Sequence, residues 1–325
     1  MELFKGLVVS AILLGCMYTL VAIGFSLFFG VMDVVVFCCG DIAILGSFVI
    51  MGAWVVMQSA GLFDVLPFAA CVVLLISISA CACALVGLLT YRVSIKPFHE
   101  SSELMPLLST IAMGTVIKEV LGLLFKPVVN TLSAAVGSES ALMVTSGRNP
   151  QGFPQLLMPG AADIGGILDP RRVAVIVITA VILTLLFLFL SKTKMGLSMQ
   201  AIAQNKELSL MTGINVSKII IVTFLIGGVL LAIGGFLMGS YQKLMSFDNG
   251  AMYGAKGFSA AVVGGLRNIW GAVVGGMLLA FVEVFVAGYV PRGMAYANIV
   301  AFIVVVIFIV FKPEGIIGEK SVEKV

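Results

Sequence analysis

Charge is scarce in this sequence. Asp, Glu, Lys and Arg together make up 11% of its 325 residues, against about a quarter in soluble globular chains. Histidine is scarcer still, His99 being the only one. No Gly-x-x-x-x-Gly-Lys-Ser/Thr loop is present to cradle nucleotide phosphates, which excludes ATP hydrolysis by that route, and no His-Glu-x-x-His is present to hold zinc. A Ser-His-Asp set would have to draw on His99 in a connection, so the chain does not read as an enzyme, and no cofactor is implied. The net charge of +3 comes from scattered residues with no basic run suited to a phosphate backbone, so nucleic acid is not a partner. Six cysteines (Cys16, Cys38, Cys39, Cys71, Cys81 and Cys83) all lie in apolar stretches, none in the polar segment 127–170. They read as small buried side chains, without the spacing of a disulfide framework or a zinc site.

What is present in excess is apolar surface. Hydrophobic residues account for 61% of the chain, and the mean hydropathy is +1.18. Too little polar side chain remains to cover a water-facing surface, so the solvent is lipid. A hydrocarbon core of about 30 Å needs about 20 apolar residues in a helix rising 1.5 Å per residue. Runs at 6–32, 42–63, 65–91, 173–191, 219–242 and 293–311 supply these without a charge. Two more, 104–125 and 268–291, carry Lys118 and Glu119 in one and Glu283 in the other. The expected fold is all-α: a polytopic integral membrane helical bundle of about 8 spans plus a broken, half-length segment. The first run is longer than the core of a signal peptide and lacks a clear small-x-small cleavage site, so it reads as a retained helix.

Short loops rich in Lys and Arg face the cytoplasm. Arg92 and Lys96 mark one such loop, Lys192, Lys194, Lys206 and Lys218 a second, and Lys312, Lys320 and Lys324 the tail. Segment 127–170 is then external, and its prolines 127, 150, 154, 159 and 170 argue against a continuous helix. Counting crossings forward from the cytoplasmic 192–218 leaves the tail on the wrong side unless 257–266 also enters the membrane. Gly257, Gly264 and Gly265, followed by Arg267-Asn268, suit a discontinuous helix there, and backbone breaks at membrane depth occur only beside protein or a watery cavity. The same count makes the N-terminus external.

Charge inside a span is expensive and marks function. Asp33 and Asp41 flank Phe37, Cys38 and Cys39 between the first two spans. Lys118 and Glu119 are adjacent, point about 100° apart and do not pair with each other; an interfacial position, or snorkelling for the lysine, would account for them. Glu283 lies well inside its helix, where Lys118 is a candidate partner. Recurring glycines (Gly227-Gly228, Gly234-Gly235, Gly264-Gly265, Gly271 and Gly275-Gly276) let helix backbones approach closely, as ordinary bundle packing also requires. In the cytoplasmic segment 192–218, Met195, Met199, Ile202 and Ala203 form one stripe of a short amphipathic helix. That stripe must be covered by the membrane interface or by a soluble partner. Gly213 ends the turn that carries Leu208 to Met211.

These residues resemble the permease subunits of ABC importers for branched-chain amino acids, the LivH/LivM type, which has relatives for urea and amides. The resemblance runs from Gly15-Cys16-Met17-Tyr18-Thr19-Leu20 and Gly30-Val31-Met32 through Pro106-Leu107-Leu108-Ser109-Thr110. It continues in Phe258-Ser259-Ala260-Ala261-Val262-Val263-Gly264-Gly265-Leu266, Gly271-Ala272-Val273-Val274-Gly275-Gly276 and Val282-Glu283, and ends in Phe311-Lys312-Pro313-Glu314-Gly315. One stretch departs from it: where family members read Asn-Phe-Ala-His-Gly-Glu, this chain has Val36-Phe37-Cys38-Cys39-Gly40-Asp41, which removes polar groups near the pathway.

The resemblance implies a single transmembrane permease domain over residues 1–325, with an external loop 127–170 and a cytoplasmic coupling loop 192–218, in the bacterial inner membrane. Within the coupling loop, Gly196, Met199, Ala201, Ile202, Ala203, Gln204 and Gly213 would engage cytoplasmic ABC ATPase subunits. Phe37, Asp41, Glu119, Gly264, Gly265 and Glu283 would line the pathway. A second permease, commonly a different chain, would complete the path, and a periplasmic substrate-binding protein would deliver the solute. The physical alternative for the same features is a secondary transporter or channel driven by an ion gradient.

Overall fold

In the computed structural model the described residues are 2–65, 67–98, 102, 104–135, 150–157, 169–312 and 314–317. His99, Pro159, Pro313, Lys320, Lys324 and most of segment 127–170 lie outside them. The described chain is almost entirely helical: α1 (Glu2–Met32), α2 (Cys39–Ser59), α3 (Leu62–Val65), α4 (Phe68–Thr90), α5 (Leu104–Ala135), α6 (Pro170–Lys192), α7 (Lys194–Gln204), α8 (Lys206–Met211), α9 (Val216–Gln242), α10 (Asn249–Gly264), α11 (Ile269–Tyr289) and α12 (Gly293–Phe311). Eight of them (α1, α2, α4, α5, α6, α9, α11 and α12) are long and apolar enough to cross a membrane. Two-residue strands β1 (Gln151–Gly152) and β2 (Leu244–Met245) pair antiparallel. Pro127 does not end α5, which continues to Ala135 with the proline inside it.

Sequence explains where several helices begin. Asp169 accepts the Arg171 amide at 3.1 Å, with Pro170 at the first helical position of α6. Thr193 caps α7 through the Gly196 amide at 3.0 Å, and Asn205 caps α8 through that of Leu208 at 3.1 Å. Asn268 caps α11 by accepting from Trp270 and Gly271.

The chain divides into two compact units. The first comprises residues 1–35, 160–223 and 255–325. In it α1 lies along α11, with Gly276 against the Thr19 backbone and Gly15 against Met277. Gly275 meets the Ala260 carbonyl of α10. In lipid, where no hydrophobic force joins helices, such close approach supplies dispersion contact. The second unit comprises residues 36–159 and 224–254. There Gly46 of α2 meets Ala232 of α9, and Gly228 meets Cys83 and Ala84 of α4. Ser79 Oγ donates to the Gly46 carbonyl at 2.9 Å and Ser47 Oγ to that of Gly235 at 2.8 Å. Phe48 packs edge-on against Phe125 of α5. All six cysteines are free thiols and only Cys81 is exposed.

The broken elements form an internal repeat. Leu20-Val21-Ala22-Ile23-Gly24 returns as Leu230-Leu231-Ala232-Ile233-Gly234, and Phe37, Gly40 and Phe48 return as Phe247, Gly250 and Phe258, each 210 positions on (20 to 230). The structure keeps the same register. α1 stops at Met32 and α9 at Gln242, while α2 starts at Cys39 and α10 at Asn249. The residues just after the two stops, Asp33 and Lys243, both hold left-handed backbone, φ 55° and 62°. Outside glycine that conformation is uncommon, and two instances at matching positions mark a designed break. Four candidate spans lie between α1 and α9 in the sequence.

Candidate functional site

The longest helix acts as a depth ruler for the second unit. Thr110, Gly114 and Lys118 follow one another along one face of α5, and each meets a break residue. The Phe37 amide donates to Thr110 Oγ1 at 3.3 Å, Gly114 lies against the Asp41 carboxylate, and Lys118 Nζ pairs with Asp248 at 2.5 Å. At 1.5 Å per residue these contacts lie about 9, 15 and 21 Å along α5 from Leu104. α2 therefore begins inside the span and not at its edge, and the connection before α10 reaches its middle.

Two helix N-termini meet at this level. A side chain on Gly40, in the first turn of α2, would strike the Gly250 carbonyl and the Gly254 amide in the first turn and a half of α10. Asp41 is buried, its carboxylate held between Gly114 and Gly250, where the positive end of α10 favours an anion. One turn further along α5 is the Lys118–Asp248 pair, both side chains partly open, and Glu119 is exposed. Phe37 and Asp41, singled out from sequence, thus meet α5 one turn apart, with the Lys118–Asp248 pair next along it. Glu119, adjacent to Lys118, points about 100° away from it.

Glu283 belongs to the first unit and to a different partner. Lys256 of α10 donates to Glu283 Oε1 at 2.6 Å and to the Tyr18 hydroxyl at 2.8 Å, and that hydroxyl donates to Glu283 Oε2 at 2.9 Å. The ammonium also lies 5.3 Å from the Tyr18 ring centre. Lys118, the partner expected for Glu283, is engaged with Asp248 instead. Lys256 stands between Gly254 and Gly257, which read as helix breaks, so sequence alone hides it at the edge of the apolar piece; α10 runs through both glycines, from Asn249 to Gly264. Gly264 and Gly265 serve the α10–α11 turn: Gly264 touches the Gly271 carbonyl, and Gly265, at φ 113°, packs on Gly315.

Segment 192–218 folds largely as α7 and α8, and its apolar stripe is covered by this chain's own helices. Met199 and Ile202 are 3% exposed, because α7 packs on α6 and α1 of its own unit. Gly196 permits this by lying directly on the Phe189 and Leu190 backbone. Ala201 and Ala203 are half-buried and Gln204 is exposed. The apolar side chains left in water are Leu197, Leu208, Leu210 and Met211, the last 84% exposed, followed by the left-handed Gly213 at φ 80°. Arg267 ties this loop to the helix ends by pairing with Asp33 and donating to the Ala203 carbonyl at 3.4 Å.

Among the described residues no cluster of His, Cys, Asp and Glu is arranged to hold a metal. What the arrangement offers is a charged cluster against the middle of α5, beside two helix N-termini, and an exposed apolar knob on α7 and α8. The family model described as branched-chain amino acid transport system, permease component, matches residues 7–309.

The chain belongs to this permease family.

Relatives agree along nearly the whole length. The chain is 28% identical over 327 residues to the high-affinity branched-chain amino acid transport system permease protein BraD of Pseudomonas aeruginosa, covering 98% of this chain and 96% of that one. It is 26% identical to LivH of Escherichia coli K12, with 97% and 96% covered, and 28% identical to a probable LivH of Methanocaldococcus jannaschii, with 84% and 81% covered. No solved structure matches the chain significantly. As a member of the permease family it is a multi-pass membrane protein, and its breaks and glycine contacts describe how such a permease is put together.

Proposed function

We propose that this permease is the membrane subunit of an ATP-driven importer that moves branched-chain amino acids across a bacterial inner membrane. The observation that carries the reading is the match to the permease family across residues 7–309, with curated relatives that span almost the whole chain. The solute passes the centre formed by Phe37, Asp41, Lys118, Glu119 and Asp248, where paired helix N-termini and carboxylates offer both signs of charge to a zwitterion. Glu283, with Lys256 and Tyr18, holds α1, α10 and α11 together beside it in sequence.

Hydrolysis belongs to separate cytoplasmic ATPase subunits. They grip the α7–α8 knob through Leu197, Leu208, Leu210 and Met211, while Gly196, Met199, Ala201, Ile202, Ala203 and Gln204 shape the lever behind it and Gly213 sets its end. Closure of the ATPase pair shifts the permease between outward and inward access because the two states bind the ATPase differently. A periplasmic binding protein supplies affinity and a second permease, a different chain, completes the path.

The test is uptake of labelled leucine, isoleucine and valine by cells with and without this gene, repeated with a hydrolysis-dead ATPase. Loss of uptake in both strains is expected. Uptake that survives the dead ATPase and collapses with the ion gradient would replace this reading with a secondary transporter. Uptake of urea or amides alone would move the substrate.

A further inference from the structure

Several helix ends of the first unit gather around one cavity of about 520 Å³, a volume in the range of ligand sites. α6 ends at Lys192, α7 at Gln204 and α10 at Gly264, and α11 begins at Ile269. One wall is apolar: Leu183, Leu186, Phe187 and Leu190 of α6, together with Val262 and Val273. It reaches about 14 Å into the span from Lys192 at 1.5 Å per residue. The rim is polar and comprises Gln200 and Gln204 of α7, Arg267, and Glu314. Trp270, exposed and packed on Phe187 with ring centres 5.3 Å apart, belongs to the same cavity. Tryptophan is enriched at that level, where hydrocarbon gives way to headgroups.

The two charges of the rim are held by backbone. Arg267 pairs with Asp33 and donates to the Ala203 carbonyl at 3.4 Å, and a guanidinium has further N–H groups to offer. Glu314 sits on a strap that folds back from α12. There the Ile316 and Ile317 amides donate to the Val263 and Gly264 carbonyls at 2.9 and 3.1 Å, and Asn268 Nδ2 donates to the Ile317 carbonyl at 3.0 Å. Gly315 turns at φ 82° against Gly265. Lys312, two positions from Glu314, donates to the Ile316 carbonyl at 3.0 Å. Among the described residues the Glu314 carboxylate and the side-chain amides of Gln200 and Gln204 have no hydrogen bond or ion pair. With Arg267 balanced by Asp33, the rim carries the negative charge of Glu314.

We propose that this cavity binds one phosphatidylethanolamine molecule, its phosphate on Arg267, its ammonium on Glu314, Gln200 and Gln204, and one acyl chain along α6. The charges select the headgroup. An open carboxylate beside a guanidinium with spare donors matches an amine joined to a phosphate, and both contacts are charge-assisted. A purely anionic lipid has no amine for Glu314, and a choline headgroup has no N–H to donate to it. Free phosphate would leave the apolar α6 wall uncovered. The site stands on this geometry and does not rest on the proposed function.

The experiment uses the complete transporter, stripped of lipid in detergent. It is given phosphatidylethanolamine, phosphatidylcholine or phosphatidylglycerol, each carrying the same photoreactive acyl chain, and labelled peptides are mapped by mass spectrometry. Labelling of residues 183–190 and Trp270 is expected to be about tenfold greater with the ethanolamine lipid, the size of effect one charge-assisted bond gives. Glu314→Gln should bring it down to the choline level, and Arg267→Gln should lower it for all three lipids. Val306 and Val310, exposed on α12, should take label equally from every lipid and in both variants, which also shows that the variants fold. Equal labelling of the cavity by the three lipids overturns the site in favour of ordinary bilayer contact. Absence of label there overturns it in favour of a protein neighbour, and loss of label on adding inorganic phosphate in favour of a free anion. The comparison of lipids on the unaltered chain keeps the test decisive where a variant does not assemble.

Discussion

Lys256 and Glu283, 27 positions apart on consecutive helices, meet at 2.6 Å within the first unit, with side chains only 5% and 14% exposed. Tyr18 from a third helix bonds to both. Removing one member of such a pair leaves the other buried and uncompensated, which costs about 3–5 kcal/mol, whereas replacing both by apolar side chains is often neutral. Lys256→Met and Glu283→Met are each expected to lower the thermal unfolding midpoint in detergent sharply, and the double variant to recover most of the loss. A double variant as unstable as the singles would show that the pair is not the coupled unit its geometry describes.

Tyr18→Phe tests the third member. It removes a donor and an acceptor while keeping the ring beside the ammonium, so a loss of about 1–2 kcal/mol is expected. The same unfolding measurement checks it.

The α7–α8 knob makes opposite predictions for its two faces. Leu208→Asp and Met211→Asp change exposed side chains, so the permease should insert and unfold normally but copurify with less ATPase. Met199→Asp and Ile202→Asp bury a charge against α6 and α1 and should destabilise the permease itself, by several kcal/mol. Copurification and thermal unfolding on the same four variants separate the two effects.

The tight turns give a graded series of glycine replacements. Gly264→Ala drives a methyl into the Gly271 carbonyl and Gly40→Ala drives one into Gly250, so each should cost about 1–3 kcal/mol through backbone shifts. Gly6 has nothing within 4 Å of an added methyl, and Gly6→Ala should be silent. Folded yield after membrane extraction ranks the three.

Arg267→Ala breaks an ion pair in which both side chains are 55% exposed. Surface pairs contribute less than about 1 kcal/mol, so the unfolding midpoint should hardly move. Because Arg267 also holds the Ala203 carbonyl at the end of α7, substrate uptake per ATP hydrolysed should fall. A large drop in stability would mean that the arginine is chiefly structural.

Much of the fold was legible because lipid simplifies the reading. Backbone groups in hydrocarbon must bond within their own helix, so a run of apolar residues such as 219–242 fixes its secondary structure almost by length alone. Gly213 was readable for a similar reason, as a left-handed helix stop. The site was legible only in part. Asp41 and Lys118 stand out as charges near or inside spans, but nothing local says that Gly114 and Gly250 close on one or that the other pairs with Asp248. Met199 and Ile202 show the converse failure: their spacing reveals an apolar stripe, and spacing alone does not say whether α6 or a foreign protein covers it.

The repeat that joins Asp33 to Lys243 lay in the sequence as well, spread thinly over Leu20–Phe48 and Leu230–Phe258, and it became plain when the two left-handed breaks coincided. By itself, then, the sequence determined that this chain lives in lipid and how many helices are long and apolar enough to cross it, because hydropathy acts within a few residues. Which charges meet was decided only by the tertiary structure. Lys256 finds Glu283 on the next helix and Lys118 finds Asp248 far along the chain, and no local rule encodes how close two backbones will come.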